Sequence, residues 1–494
     1  MMVSERAPKV KSGAVASLII TAAAVLLSGY LVTTVIPALP RIQKEFSMTA
    51  ETAAWITSGF LLVGAASATL LGRLGELYGK KRMFVAALAL FTAGTALAGL
   101  APTGTFLLLV LAVAGVGFGT FPLGLAMAAD VFTKDRLATA QGVLAAAGGM
   151  SAAVGLVLGA YIVQDYGWRE GLYGAAFASL VLLGMSAWRL KESAPRSRGR
   201  IDYLGAAFLF GGVALVLGGL TEGGSQGWLS LVSLGLLLPG GALLAGFFAW
   251  EDRASNPLIE LRLLGIRNVW LANLVGVLAG LAYFLFFYAF VYYAELPPPS
   301  GLGLDVLATG LALVPAVLIT LFVGPLMGWV ATRAGPKPVI VCGALMLAVG
   351  FGAFGVYRTT SLQVTIDAIV AMAGAVTLMV PIVNMVSLSL PAECVPTGLG
   401  FNSTVRALGQ ATGPVIAATL MTMYTEPLTR LIQGRLVVVA TVPSPTAFDV
   451  LFGIGILLAV VTVILGLLVH NYTFQPRTTS GEALAEVTER AVGK

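Results

Sequence analysis

The chain has 494 residues, 58% of them hydrophobic and 11% charged, with a mean hydropathy of +0.92. Ordinary globular chains are about 25% charged, so this composition cannot clothe a water-facing surface of that size; a soluble enzyme and a nucleic-acid binder are both excluded. The formal charge of +6 says less than where the basic residues sit, and two cysteines with one histidine exclude a Cys/His metal site or a disulfide framework.

A membrane-crossing helix needs about 20 apolar residues. Charged and Pro/Gly-rich breaks leave apolar runs near 13–38, 53–72, 83–101, 105–128, 137–162, 170–189, 203–221, 228–250, 269–294, 305–331, 338–356, 362–390, 399–424 and 448–470. These fourteen segments are each near or above the spanning length. The first follows Arg6, Lys9 and Lys11 like a secretory signal, but it is longer than the apolar core of about 7–15 residues that such signals carry. It is therefore read as span one.

With both termini placed inside, 22 of the 29 Lys and Arg fall in inside loops, six fall outside, and Arg406 alone lies within a span. Basic loops are retained on the cytoplasmic side, so the asymmetry predicts an even span count and two cytoplasmic termini. Neither Cys342 nor Cys394 has an obvious partner, and both are read as reduced.

The loops repeat. Gly72, Glu76, Gly79 and Lys81 return as Gly328, Thr332, Gly335 and Lys337, each 256 residues later. One copy follows span two and the other span ten, an offset of eight that two six-span halves separated by an inserted pair would produce. That division predicts a cytoplasmic tail at 1–12, a first half at 13–190, an insert with linkers at 191–268, a second half at 269–471 and a tail at 472–494. No phosphate-binding Gly-x-x-x-x-Gly-Lys-Ser/Thr loop is present, so ATP-driven pumping has no support, and no cofactor is expected.

The stretch Gly72-Arg73-Leu74-Gly75-Glu76-Leu77-Tyr78-Gly79-Lys80-Lys81-Arg82 resembles the loop signature of the major facilitator superfamily between its second and third helices, with Glu76 where the acid is usually Asp. Arg136, in the next inside loop, is the candidate partner for that carboxylate. Trp55-Ile56-Thr57-Ser58-Gly59-Phe60, Arg200-Ile201-Asp202-Tyr203-Leu204-Gly205, and Ser255-Asn256-Pro257-Leu258-Ile259 followed by Leu261-Arg262-Leu263 are similar to one branch, the fourteen-helix drug:proton antiporters. Asn402 to Gly409, with Arg406 between, resembles that branch's penultimate helix. The resemblance implies an all-α integral membrane fold of fourteen helices arranged as 6+2+6, working by alternating access in the cytoplasmic membrane.

Departures from that pattern bear on mechanism. The first-helix acid of the branch falls at Leu31 and the fourth-helix arginine at Leu111, so both charges of the usual proton-linked pair are absent together. Losing one alone would strand a charge in a low-dielectric site. The fifth-helix signature keeps Gly155 and Gly159 but lacks its proline, and this small-x-x-x-small surface is expected to serve packing before gating. Proton coupling is therefore expected to be weak or absent in the N-terminal half, and any proton site falls to Asp367 or Glu76.

By analogy with the superfamily, Tyr30, Thr33, Thr34, Gln141, Asn273, Tyr283, Tyr288, Asn384 and Asn402 lie on cavity-lining spans, with Arg406 either a substrate contact or bonded to Asn402 or to carbonyls. Sparse polar groups among apolar walls suit a small hydrophobic or amphipathic substrate; each is otherwise a helix-to-helix hydrogen bond. The expected partners are that substrate, protons at most, and the lipid bilayer, with the chain acting as a monomer. Two alternatives remain open: a lipid or metabolite carrier of the same fold, and a membrane sensor or scaffold that transports nothing.

Overall fold

The computed structural model describes residues 13–132, 134–192, 202–254, 265–390, 395–432 and 435–471. Its helices are α1 (Ala14–Glu45), α2 (Ala50–Tyr78), α3 (Lys80–Gly99) and α4 (Gly104–Ala114), which runs through a 3-10 turn at Gly115–Gly119 into α5 (Thr120–Val131). Next come α6 (Lys134–Val154), which passes through a π turn at Gly155–Gly159 into α7 (Ala160–Asp165), then α8 (Trp168–Arg189), α9 (Tyr203–Gln226) and α10 (Leu231–Glu251). The remaining helices are α11 (Arg267–Glu295), α12 (Val306–Ala334), α13 (Pro336–Val356), α14 (Ser361–Ser389), α15 (Val395–Met423) and α16 (Pro445–Leu468). With α4–α5 and α6–α7 each forming one rod, every expected span is helical.

Thirteen of these rods among the described residues are long and apolar enough to cross a membrane. The helix outside that set is α15, which is 29 residues long but carries Asn402, Arg406 and Gln410. The chain is nearly all helical, as expected, and one hairpin among the described residues departs from that. Between α15 and α16, β1 (Thr425–Ile432) and β2 (Arg435–Pro443) pair antiparallel. The β-branched run Val437-Val438-Val439 with Thr441 and Val442 favours strand, and a hairpin satisfies its own backbone groups wherever a connection need not cross hydrocarbon.

The helices pack in two corresponding sets. In the first, α1 touches α6–α7 and α8, α3 touches α8, and α4–α5 packs on both α2 and α3. In the second, α11 touches α15 and α16, α13 touches α16, and α14 packs on both α12 and α13. The helices α9 and α10 pack on each other, and α9 also lies against α2 and α15. Asp202 ties that pair together: its Oδ1 accepts from Gly205 N at 2.8 Å, and the Trp250 indole donates to its Oδ2 at 2.8 Å.

Large apolar side chains such as Trp188, Leu231 and Leu238 are exposed on the rim of the bundle, as a surface solvated by lipid requires. Since lipid is as apolar as leucine, helix association there depends on close backbone approach. Glycines supply it between α11 and α15. A Cβ at Gly409 would lie 2.3 Å from the Val277 carbonyl oxygen, and one at Gly280 would lie 2.5 Å from the Arg406 carbonyl. Gly409→Ala is expected to lower unfolding free energy by about 1–3 kcal/mol through overpacking. Gly72→Ala, with no atom within 4 Å of its Cβ, should be neutral or slightly stabilising. Thermal unfolding in detergent measures both, and equal effects would contradict the close approach.

Candidate functional site

The bundle has two ends, named here by the loops they carry: the Gly79 face, with the loops near residues 79, 192, 335 and 471, and the Gln43 face, with those near 43, 101, 166 and 296. Arg406 lies eleven residues into α15 from the Gly79 face, roughly 16 Å deep at about 1.5 Å per residue. That is near the middle of a hydrocarbon core of about 30 Å.

Around it, α11, α14 and α15 assemble a small polar cluster. Asn402 donates from Nδ2 to Asn273 Oδ1 at 3.0 Å and to the Ala272 carbonyl at 3.3 Å, while Asn273 donates to the Val269 carbonyl at 2.9 Å. Both asparagines are buried, and Gly276 leaves room for them, since its Cβ would meet Asn402 Nδ2 at 3.3 Å. Asn402 is thus committed to α11 rather than to Arg406. Among the described residues the arginine's side chain makes a polar contact from Nη1 to Met379 Sδ at 3.6 Å, and its Nε is buried with no partner. Among the described residues the structural-bond reading of Arg406 gains neither Asn402 nor a carbonyl as partner, and Nε keeps a hydrogen to spare.

Tyr283 is half-buried, its ring stacked with Phe287 at 6.4 Å, and Asn384 is half-buried on α14. Asp367, on α14 near the Gln43 face, is 6% exposed with Oδ2 unpartnered among the described residues. It lies too far from Arg406 in depth to pair with it, and the two form no ion pair among the described residues.

The N-terminal set is different in kind. Leu31 and Leu111 line the same void, a cavity of about 10 Å³ that they share with Val32, Val35, Ile56, Thr57 and Phe60. A void that size is at the lower limit for one water, and only Thr57 offers a polar atom. The two positions where the antiporter branch carries opposite charges are therefore adjacent here and dry. Tyr30 is buried on the same helix. Thr33 donates to the carbonyls of Gly29, Tyr30 and Ser151 at 3.2, 3.2 and 3.3 Å. Gly155 and Gly159 lie under Thr33 and Thr34, with no room for a Cβ at either. These four residues form the seam between α1 and the π turn. Gly409 and Gly413 repeat the same spacing on α15, where they press on α11.

At the Gly79 face, the side chains of Glu76, Arg136 and Gln141 lie outside the described residues. The first N–H groups of α3 are received by another carboxylate, Glu192, which accepts from Lys81 N at 3.0 Å and Arg82 N at 3.2 Å. A carboxylate there meets the positive end of the helix dipole. Gly79 has φ +105°, a conformation that favours glycine, and its Cβ would lie 2.6 Å from Glu192 Oε1. Lys80 turns inward to Asp130 Oδ2 at 2.6 Å and the Ala126 carbonyl at 2.9 Å. The second copy of the loop has the same plan. Gly335 has φ +86°, and Asn471 accepts from Lys337 N at 3.2 Å while donating to the Ala334 carbonyl at 2.9 Å. Gly72 and Gly328 have no close neighbour that a Cβ would disturb.

At the Gln43 face the two sets are tied directly. The Tyr288 hydroxyl reaches the Ala50 carbonyl at 3.4 Å and the Tyr292 hydroxyl at 3.2 Å, and Tyr292 donates to Gln43 Oε1 at 3.1 Å. Leu307 N donates to Gln164 Oε1 at 3.2 Å. Tyr288, expected in the cavity, is instead fully buried in this closure.

Leu31→Asp places an unpaired carboxylate beside Leu111 and should destabilise by about 3 kcal/mol or more, whereas Leu31→Asp with Leu111→Arg should recover part of that loss; thermal unfolding of the two variants compares them. Glu192→Ala and Asn471→Ala should each cost about 1 kcal/mol, as loss of a helix cap does, measured by the same unfolding assay. A loss confined to Glu192→Ala would break the equivalence of the two loops.

Comparison with known proteins agrees with this architecture. The sequence profile described as Major Facilitator Superfamily matches residues 21–414 and again 272–490. The chain is 25% identical over 399 residues to the uncharacterized MFS-type transporter YhcA of Bacillus subtilis, covering 79% of this chain and 72% of that one. It is 26% identical to the multidrug resistance protein Stp of Mycobacterium tuberculosis, over 78% of this chain and 72% of that one. It is 27% identical to the tetracenomycin C resistance and export protein of Streptomyces glaucescens, over 77% and 71%. The human organic anion transporter MFSD10 superimposes with a TM-score of 0.61 at 16% identity, over 92% of this chain and 99% of that one, and supports the fold alone. The chain belongs to the Major Facilitator Superfamily and is a multi-pass membrane transporter rather than an enzyme.

Proposed function

We propose that the protein exports small hydrophobic or amphipathic molecules by alternating access, as a fourteen-helix member of the drug-exporter branch built from two six-helix halves and an inserted pair. In this reading the Gly79 face and both termini are cytoplasmic, and the halves rock about a midplane site on α11, α14 and α15. The tyrosine and glutamine bonds at the Gln43 face are then an outward-closed gate. Relatives named for multidrug resistance and for tetracenomycin export support the substrate class.

The observation that carries the reading is Arg406, a mid-depth cation whose Nε has no partner among the described residues although intramembrane charges are costly and are kept for function. Its guanidinium would take the electronegative part of an amphipathic substrate while apolar walls take the rest. Proton antiport is the expectation for the branch. The dry void at Leu31 and Leu111 argues against coupling through the N-terminal half, which leaves Asp367 and Glu76 as the candidate proton sites.

Stability and flux should move in opposite directions at Arg406. Arg406→Leu should raise the thermal midpoint, because an unpaired buried charge is removed, while lowering transport of an amphipathic dye into proteoliposomes by about tenfold or more, equivalent to roughly 1.4 kcal/mol. A lower midpoint with transport intact would make Arg406 structural. In the same proteoliposomes, a stoichiometric pH-gradient dependence that survives Asp367→Asn with Glu76→Gln would refute the coupling proposal.

A further inference from the structure

One open groove lies outside the bundle interior. It lies on the outer surface of the second set, between α13 and α16, with a volume of about 730 Å³. Its floor is the stripe Cys342, Leu345 and Val349 on α13, flanked by Val341 and by Leu467 of α16, with Lys337 at its end on the Gly79 face. Leu345, Val349 and Leu467 are 53%, 60% and 54% exposed. No ion pair is formed by the Lys337 ammonium among the described residues.

From Lys337 to Val349 is twelve residues of helix, about 18 Å of rise, against roughly 15 Å for one leaflet of a 30 Å hydrocarbon core. The groove therefore runs from the headgroup level to just past the midplane, the depth of one acyl chain. Its wet end is cationic. Besides Lys337, Arg267 Nη1 lies 3.4 Å from His470 Nε2, and His470 adjoins Asn471, which bonds to the Lys337 backbone. Arg333, four residues before Lys337, sits over the Trp329 ring at 3.9 Å. An apolar slot one leaflet deep with a basic mouth is complementary to an acyl chain carrying an anionic headgroup, and basic pockets between helices on the cytoplasmic side recognise such lipids.

We propose that the groove between α13 and α16 is a binding site for an anionic phospholipid, its acyl chain along Cys342, Leu345 and Val349 and its phosphate on Lys337. The lipid would bridge two helices at the second copy of the conserved-spacing loop, next to the Gly335 turn and its Asn471 cap. The site is separate from the Arg406 cluster, so failure of either proposal leaves the other standing.

Cys342 is exposed within the groove and reports on occupancy. In the full chain carrying Cys394→Ser, the rate of maleimide labelling at Cys342 is measured in detergent as phosphatidylglycerol or phosphatidylcholine of identical acyl chains is added. Phosphatidylglycerol should slow labelling by about fivefold or more, at concentrations where phosphatidylcholine does little, by mass action at the site. Lys337→Gln should erase the difference between the lipids, and Lys337→Arg should keep it. Leu345→Trp, which fills the slot, should abolish protection with Lys337 still present. A thermal midpoint in detergent unchanged from that of the parent shows that each variant is folded. Equal protection by the two lipids, absence of protection, or full protection in Lys337→Gln would each overturn the site.

Discussion

Hydrocarbon gives helices no reason to hide apolar side chains from one another, so the bundle depends on places where backbones meet without side chains between them. Gly155 and Gly159 provide this against α1, and Gly276, Gly280, Gly409 and Gly413 provide it between α11 and α15. The second seam has a functional consequence. Because α11 and α15 lie so close, Asn402 can reach across to Asn273 and the Ala272 carbonyl, which withdraws from Arg406 the partner that its own helix would have offered. Among the described residues, packing thereby leaves Arg406 Nε without a partner, and the proposed substrate site follows from it.

The two sets of helices share a plan and differ in content. Each has a close seam between its first and fifth rods, a turn at a positive-φ glycine after its second rod, and a polar residue just beyond its last rod that caps the helix after that turn. The centre of the first set is a dry contact of Leu31 with its neighbours around a void too small for hydrated charge. The centre of the second holds two asparagines and an arginine. In the proposed function, recognition lies in the second set, and the first provides a packed surface against which to move.

Much of this was legible in the residues. Apolar runs gave all fourteen rods because spanning length is a strong constraint, and the repeat of Gly79 and Gly335 located both turns. The Asn402 and Arg406 positions stood out as polar residues in an apolar helix. Three features escaped for physical reasons. Glu192 and Asn471 are equivalent caps, but the hairpin between α15 and α16 adds residues that break the 256-residue register of the repeat. Gly155 and Gly159 were legible as a packing surface, but their match to Gly409 and Gly413 was not, since it follows an offset of 254 rather than 256 residues. The closure through Gln43, Tyr288, Tyr292 and Gln164 depends on which helix faces meet across the two sets, and a helix that is apolar all round carries no such signal.

Whether substrate binding moves a proton separates this view from ordinary antiport. Proton release from the purified chain, followed in weakly buffered detergent as an amphipathic substrate is added, reads that linkage without a membrane. With leucine at both 31 and 111, less than about a tenth of a proton should be released per bound substrate once Asp367→Asn and Glu76→Gln are in place. Release near one proton per substrate in that double variant would contradict it, since a titrating group other than these two would then be linked to substrate binding.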